Sequence, residues 1–260
     1  MFRYLIDHPD VLPGKLKEPA FFNNRSFLKA ILRYPKYLRN FPKKNSKEAS
    51  VLNWPILTSK GEIEETVIEK TRGRNQPITG DASATYSTMA NPWVIKTLFP
   101  KAKIIFLVRN PTDRFISHWR MFQRFNEEGR KGYDVGDLVP FIKNEINAYA
   151  GASSPRIIHQ GRYIEIIKRW KKCFSEQDFM LVQTHELQNS ETALSVTNDI
   201  TDFLNLPAFD YSAILKEKFN VAPETSVSDE AKKLLDEFYR EPNESLKKSL
   251  AIDFTGATDY

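Results

Sequence analysis

The sequence predicts an α/β fold, on the strength of two apolar runs and one helical stripe. Ile104-Ile105-Phe106-Leu107-Val108 is a short continuous apolar run and reads as a buried strand. It is followed at once by a helix start: Asn110 suits the N-cap, Pro111 the first helical position, and Asp113 adds negative charge to the first turn. Asp178-Phe179-Met180-Leu181-Val182-Gln183 reads as a second buried strand. Between them, Tyr163, Ile166, Ile167, Trp170 and Phe174 recur at the spacing of one helix face, a core stripe. At 260 residues the chain is long enough to bury such a core as a single domain spanning 1–260.

Composition narrows the function classes. Hydrophobic residues make up 41% and charged residues 27%, as in a globular protein with a polar surface. The formal charge of +5 favours anionic partners such as nucleotides or acidic glycans. Cys173 is the only cysteine, which excludes an internal disulfide framework and a cysteine-rich zinc site. His8, His118, His159 and His185 show no metal-ligand spacing, so no metal is expected, and His118 is placed on a solvent-facing helix position. No segment reads as membrane-spanning, no nucleic-acid partner is expected, and oligomeric state and compartment stay open.

Taken in order, Met1 to Pro9 reads as the end of an amphipathic helix stopped by Pro9, with Phe2, Leu5 and Ile6 on one face. Lys17 to Phe22 reads as a short strand, and Arg25 to Tyr37 as a helix ended before Pro35. Residues 40–50, with Lys43, Lys44 and Lys47, read as an exposed loop, and Ile63 to Lys70 as a helix. Ile78 to Tyr86 reads as a strand leading into a turn, within which Asp81 either orients a ligand hydroxyl or caps the turn. Asn91 to Phe99 is a short helix stopped by Pro100, Leu138 to Tyr149 an amphipathic helix, and Thr192 to Leu204 another. Cys173 falls on the apolar side of its helix and reads as a buried structural thiol.

The junction at 104–119 carries the chemistry. Arg109 ends the strand, Ser117 lies two turns into the helix on the side of Arg114, and a helix N-terminus points its positive end there. An arginine, a hydroxyl and a helix start together suit a phosphate. Local spacing alone also describes an ordinary capped helix with surface arginines.

Val108-Arg109-Asn110-Pro111-x-x-Arg114-x-x-Ser117 after an apolar strand resembles the 3′-phosphate motif of sulfotransferases that use 3′-phosphoadenosine 5′-phosphosulfate (PAPS). Other segments resemble the carbohydrate branch of that family, the heparan sulfate and chondroitin N-acetylgalactosamine 6-sulfate enzymes. These are Lys17-Glu18-x-x-Phe21-Phe22, Gly80-Asp81-x-Ser83, Gly161-x-Tyr163 with Trp170 and Phe174, and Leu234-x-x-x-Phe238-Tyr239 with Asn243 and Leu246. Ala82 stands where heparan-type enzymes often carry lysine, as the chondroitin type does not.

The resemblance implies a mostly parallel sheet flanked by helices, related in plan to nucleotide kinases. It implies PAPS as co-substrate, with Arg109 and Ser117 on its 3′-phosphate. Glu18 is implied as catalytic base, and Asp81 and Ser83 as lining the side that takes a carbohydrate acceptor. Glu18 read alone is a surface carboxylate before a turn. In relatives the first strand and a Gly/Lys/Thr-rich 5′-phosphosulfate loop precede the Leu-x-x-His-Pro helix, so those parts are expected upstream of Met1, and this chain by itself is expected to be weak or inactive. Heparan-type enzymes close over PAPS with a disulfide-linked hairpin near residues 207–228, where this chain has only Lys216, Lys218 and Asn220-Val221-Ala222-Pro223. The alternatives are a non-catalytic relative binding nucleotide or acidic glycan, and a phosphotransferase on the same fold. The compartment stays open between a bacterial cytoplasm and the Golgi lumen of relatives that carry an upstream anchor.

Overall fold

The strand-to-helix junction is formed as the sequence predicts: β3 (Ile104–Val108) leads through Arg109 and Asn110 into α5 (Pro111–Glu127). The computed structural model describes residues 2–14, 18, 20–23, 26–38, 56–57, 78–152, 155–216 and 227–254. The basic loop at 40–50, the helix expected at 63–70, Lys17, Lys218 and residues 220–223 lie outside them. Among the described residues no helix is long and apolar enough to cross a membrane, and no group of His, Cys, Asp and Glu could hold a metal ion.

The chain divides into two units. The first comprises residues 1–106, 170–182 and 186–218. It opens with α1 (Phe2–Asp7), which stops before Pro9. His8 is buried, and its Nε2–H donates to the Pro207 carbonyl (2.9 Å) while Nδ1 accepts from the Asp10 N–H (3.0 Å). That pairing fixes the neutral Nε2–H tautomer. Strands β1 (Pro13–Gly14) and β2 (Ile56–Leu57) pair in parallel, and Val11 makes a parallel bridge to Ile78.

Helix α2 (Phe27–Leu38) runs through Pro35 rather than ending before it. Proline so near a helix end forfeits one hydrogen bond without ending the helix. After α3 (Tyr86–Met89), α4 (Pro92–Leu98) is capped by Asn91, whose side chain accepts from the Trp93 N–H. Within this unit Ile104 to Phe106 belong to the same sheet as β4 (Phe179–Gln183), with the Phe106 and Phe179 rings stacked 5.9 Å apart. Asp178 draws Lys96 (3.2 Å) and Lys103 (3.5 Å) together at the head of β4. Helices α8 (Thr184–Gln188) and α9 (Ala193–Phe203) follow.

The second unit comprises residues 107–169, 183–185 and 219–260. Helix α10 (Asp229–Leu250) packs against α5 and α6 (Leu138–Asn147). Their core gathers Phe115, Ile116, Phe141, Ile142, Leu235 and Tyr239. Ser228 caps α10 by accepting from the Ala231 N–H, acidic residues occupy the first turn and lysines the last, each at the end the helix dipole favours. Helix α7 (Tyr163–Lys171) buries Tyr163, Ile166, Ile167 and Trp170 as the spacing predicts, while Phe174, the fifth residue of the stripe, is buried but lies beyond the helix end.

Two burial expectations need correction. β3 is not buried on both faces: Ile104, Phe106 and Val108 are buried, but Ile105 is half-buried and Leu107 40% exposed, the alternation of a strand covered on one face. Cys173 is half-buried in the turn after α7 rather than on its core face, because the helix ends at Lys171.

Candidate functional site

On the second unit, the start of α5 differs from a simple amide cradle. Asn110 Oδ1 accepts from the N–H groups of Thr112 (2.9 Å) and Asp113 (3.3 Å), Pro111 has no N–H, and the Arg114 N–H bonds to the Asn110 carbonyl. The Arg109 N–H lies 3.4 Å from the Tyr163 hydroxyl, a long contact. These backbone donors are therefore taken, and an anion here would meet the helix field and side chains. Arg109 and Ser117 are both half-buried, one at the end of β3 and the other within α5.

Arg114 has a different task. Its Nη2 donates to the Ile157 carbonyl (2.7 Å) and its Nη1 to Gln160 Oε1 (3.1 Å), which ties α5 to the turn at Ile158–Gly161. His118, one turn on, is half-buried with its ring edge-on to Phe122 (4.8 Å), not solvent-facing. Burial first, and then the neighbouring Arg114 charge, lower its pKa to about 4, so it is neutral at pH 7. Thr112 donates its hydroxyl to Asp236 Oδ1 (2.5 Å), which pins the first turn of α5 to α10.

Gly161 and Tyr163 serve packing and support. A Cβ on Gly161 would fall 2.7 Å from the Tyr239 ring, and the Tyr239 hydroxyl donates to the Ile158 carbonyl (2.9 Å). Burial pushes the Tyr239 phenol up to about 12. Glu145, buried nearby, accepts from Arg156 Nε (2.9 Å) and from the Ile158 N–H (3.2 Å).

On the first unit, Glu18 is exposed, and the strand expected at Lys17 to Phe22 is not formed in its described part. Glu18 (φ 53°) and Ala20 (φ 46°) adopt left-handed backbone, and Phe21 and Phe22 lie in a turn with both rings buried. Left-handed residues cannot continue a strand. Asp81 Oδ1 accepts from the Ser83 N–H (3.1 Å) and hydroxyl (2.7 Å), while Oδ2 accepts from the Tyr86 hydroxyl (2.5 Å). The Ala20 N–H donates to Ser83 Oγ (3.1 Å). Asp81, Ser83 and the Glu18 segment are thus brought together.

Tyr86 was not singled out by sequence, although its place five residues after Asp81 on a short polar stretch was the available signal. It is buried, and burial, followed by the Asp81 charge and hydrogen bond, raises its pKa above the ordinary phenol range.

Several known proteins resemble this chain. Over 220 residues, 82% of this chain, it is 24% identical to the bifunctional heparan sulfate N-deacetylase/N-sulfotransferase 1 of Caenorhabditis elegans. Over 124 residues, 46% of the chain, it is 29% identical to the human bifunctional heparan sulfate N-deacetylase/N-sulfotransferase 3. The matches span only 21% and 13% of those relatives' lengths. A crystal structure of a sulfotransferase from Alicyclobacillus acidocaldarius shares the fold with a TM-score of 0.59 and 18% identity, over 97% of this chain and 90% of that one. Residues 3–241 match the sulfotransferase domain, and with the α/β architecture and the strand-to-helix junction already described, the chain belongs to the sulfotransferase domain family.

Proposed function

We propose that the chain is a single sulfotransferase domain that moves a sulfuryl group from PAPS to a hydroxyl of a carbohydrate acceptor. What carries this reading is the match of residues 3–241 to the sulfotransferase domain, together with the Arg109 guanidinium and the Ser117 hydroxyl, both half-buried, at the β3–α5 junction. That pair of donors fits a phosphate dianion. When bound, the nucleotide supplies an activated sulfuryl group with a phosphate as leaving group. Arg109 and Ser117 hold its 3′-phosphate, and the α5 dipole favours negative charge there.

Glu18 acts as general base. Its carboxylate is exposed and so open to an acceptor, and it takes the hydroxyl proton as oxygen attacks sulfur. Asp81 and Ser83 stand on the acceptor side with it. The two relatives are named as N-sulfotransferases of heparan sulfate, which favours a second reading in which the accepting atom is an amine on the sugar.

The test is a calorimetric titration with adenosine 3′,5′-bisphosphate, followed by transfer assays on saccharides bearing free hydroxyl or free amino groups. Charged hydrogen bonds contribute about 1.5–3 kcal/mol, so Arg109→Ala should weaken binding by about 10- to 150-fold. Undiminished binding in that variant would sink the site assignment. Binding without transfer to any acceptor would replace the enzyme reading with a nucleotide-binding relative, and sulfation of only the amino saccharide would select the second reading.

A further inference from the structure

We propose that Ser83 is a positioning residue for Glu18, acting through a hydrogen-bonded chain that runs from Asp81 to the Ala20 amide, two residues along from the base. This inference rests on the reading of Glu18 as base.

The chain has a fixed direction. A hydroxyl carries one proton, and Ser83 gives its proton to the Asp81 carboxylate at 2.7 Å, since a carboxylate can only accept. Ser83 Oγ is then the acceptor for the Ala20 N–H at 3.1 Å. The hydroxyl's single proton and one of its two lone pairs are engaged inside the protein, and Ser83 is 7% exposed. Asp81 is itself held from the other side by Tyr86, also buried. These contacts suit a scaffold rather than a group that meets substrate.

The scaffold supports a backbone that needs support. Glu18 and Ala20 are both left-handed without being glycine, a conformation that persists where the surroundings over-determine it. The downstream side of the turn is fastened separately: the Asn23 N–H bonds to the Ala20 carbonyl, Asn23 Nδ2 donates to Thr85 Oγ1 (2.7 Å), and Asn23 bridges Ala90. On the Glu18 side, the hydrogen bond to Ser83 constrains the residue two positions from the base. Losing it leaves the carboxylate on a segment free to relax toward ordinary dihedral angles.

The experiment compares Ser83→Ala and Ser83→Thr, each in the parent protein and in Glu18→Gln. Backbone hydrogen exchange at Glu18, Ala20, Phe21 and Phe22 is read first because it needs no activity (Pro19 carries no amide hydrogen). Ser83→Ala should speed exchange at Ala20 at least about tenfold, with Ser83→Thr restoring protection, and unchanged exchange overturns the positioning role. In turnover, Ser83→Ala should lower kcat by about ten- to a hundredfold, with affinity for adenosine 3′,5′-bisphosphate unchanged. In the Glu18→Gln background the same change should cost no further rate. An equal loss in both backgrounds, or a raised acceptor KM with intact kcat, shows that Ser83 touches substrate and overturns the proposal. An undiminished rate in Glu18→Gln overturns the base reading itself, and with it the catalytic part of this inference.

Discussion

Gly161 presses its Cα face against the ring of Tyr239, so that an added Cβ would lie 2.7 Å from Cε1 and Cζ. Tyr239 is fully buried and its hydroxyl is tied to the Ile158 carbonyl, so the ring has nowhere to move. Gly161→Ala should therefore destabilise the protein by about 1–3 kcal/mol, the usual range for overpacking. Urea unfolding of the variant checks this, and a shift of a few tenths of a kcal/mol would show that the ring yields.

Arg109 and Arg114 should separate in their effects, although both belong to the same short motif. Arg114 holds the carbonyl of Ile157 and the side chain of Gln160. Arg114→Ala should lower stability by about 1.5–3 kcal/mol through those charged hydrogen bonds. Its nucleotide affinity, measured where the variant is still folded, should fall less than that of Arg109→Ala. Thermal melts beside calorimetric titrations would reverse this assignment if Arg114→Ala melted normally and bound nothing.

His118 gives stability a pH dependence with a definite sign. Its folded pKa of about 4 lies below the ordinary 6.5, so the unfolded chain binds the proton more readily across that window. The contribution is fully present above about pH 6.5 and is lost as the pH falls toward 4. Urea midpoints at pH 7 and pH 5 should therefore differ more in the parent than in His118→Gln. Equal differences would mean that His118 does not carry the effect.

Thr112→Val removes the hydroxyl that reaches Asp236, a carboxylate 124 residues further along the chain. Expected is a loss of about 1.5–3 kcal/mol, with α5 less firmly held at its first turn. Asp236→Asn should lose less, because an amide oxygen can still accept. Unfolding free energies of the two variants, measured side by side, settle the order.

How much of this was legible follows from how local each cause is. The β3–α5 junction and the Asn110 cap depend on neighbours in sequence, and the residues there state them directly. The aromatic stripe of α7 is legible for the same reason. Pairings such as Thr112 with Asp236 and Gly161 with Tyr239 depend on which helices meet, and the motif strings around them carry no mark of that partnership. The Glu18 segment misled because Phe21 and Phe22 are apolar neighbours that suit a strand. In the structure, Ser83 and Asn23 hold that stretch in a turn. His118 misled because an amphipathic pattern places it near solvent, whereas Phe122 and α5 itself cover half of it.

Asn110 occupies the amide hydrogens of Thr112 and Asp113 with its own side chain. A phosphate at this helix start would then be felt through space more than gripped by the backbone. Attraction of that kind is damped by mobile ions, with a screening length of about 8 Å at physiological ionic strength. Nucleotide affinity at this junction should accordingly fall as salt is added, more steeply than in a loop whose own amides wrap the phosphate, and the surrounding electrolyte becomes part of what sets occupancy.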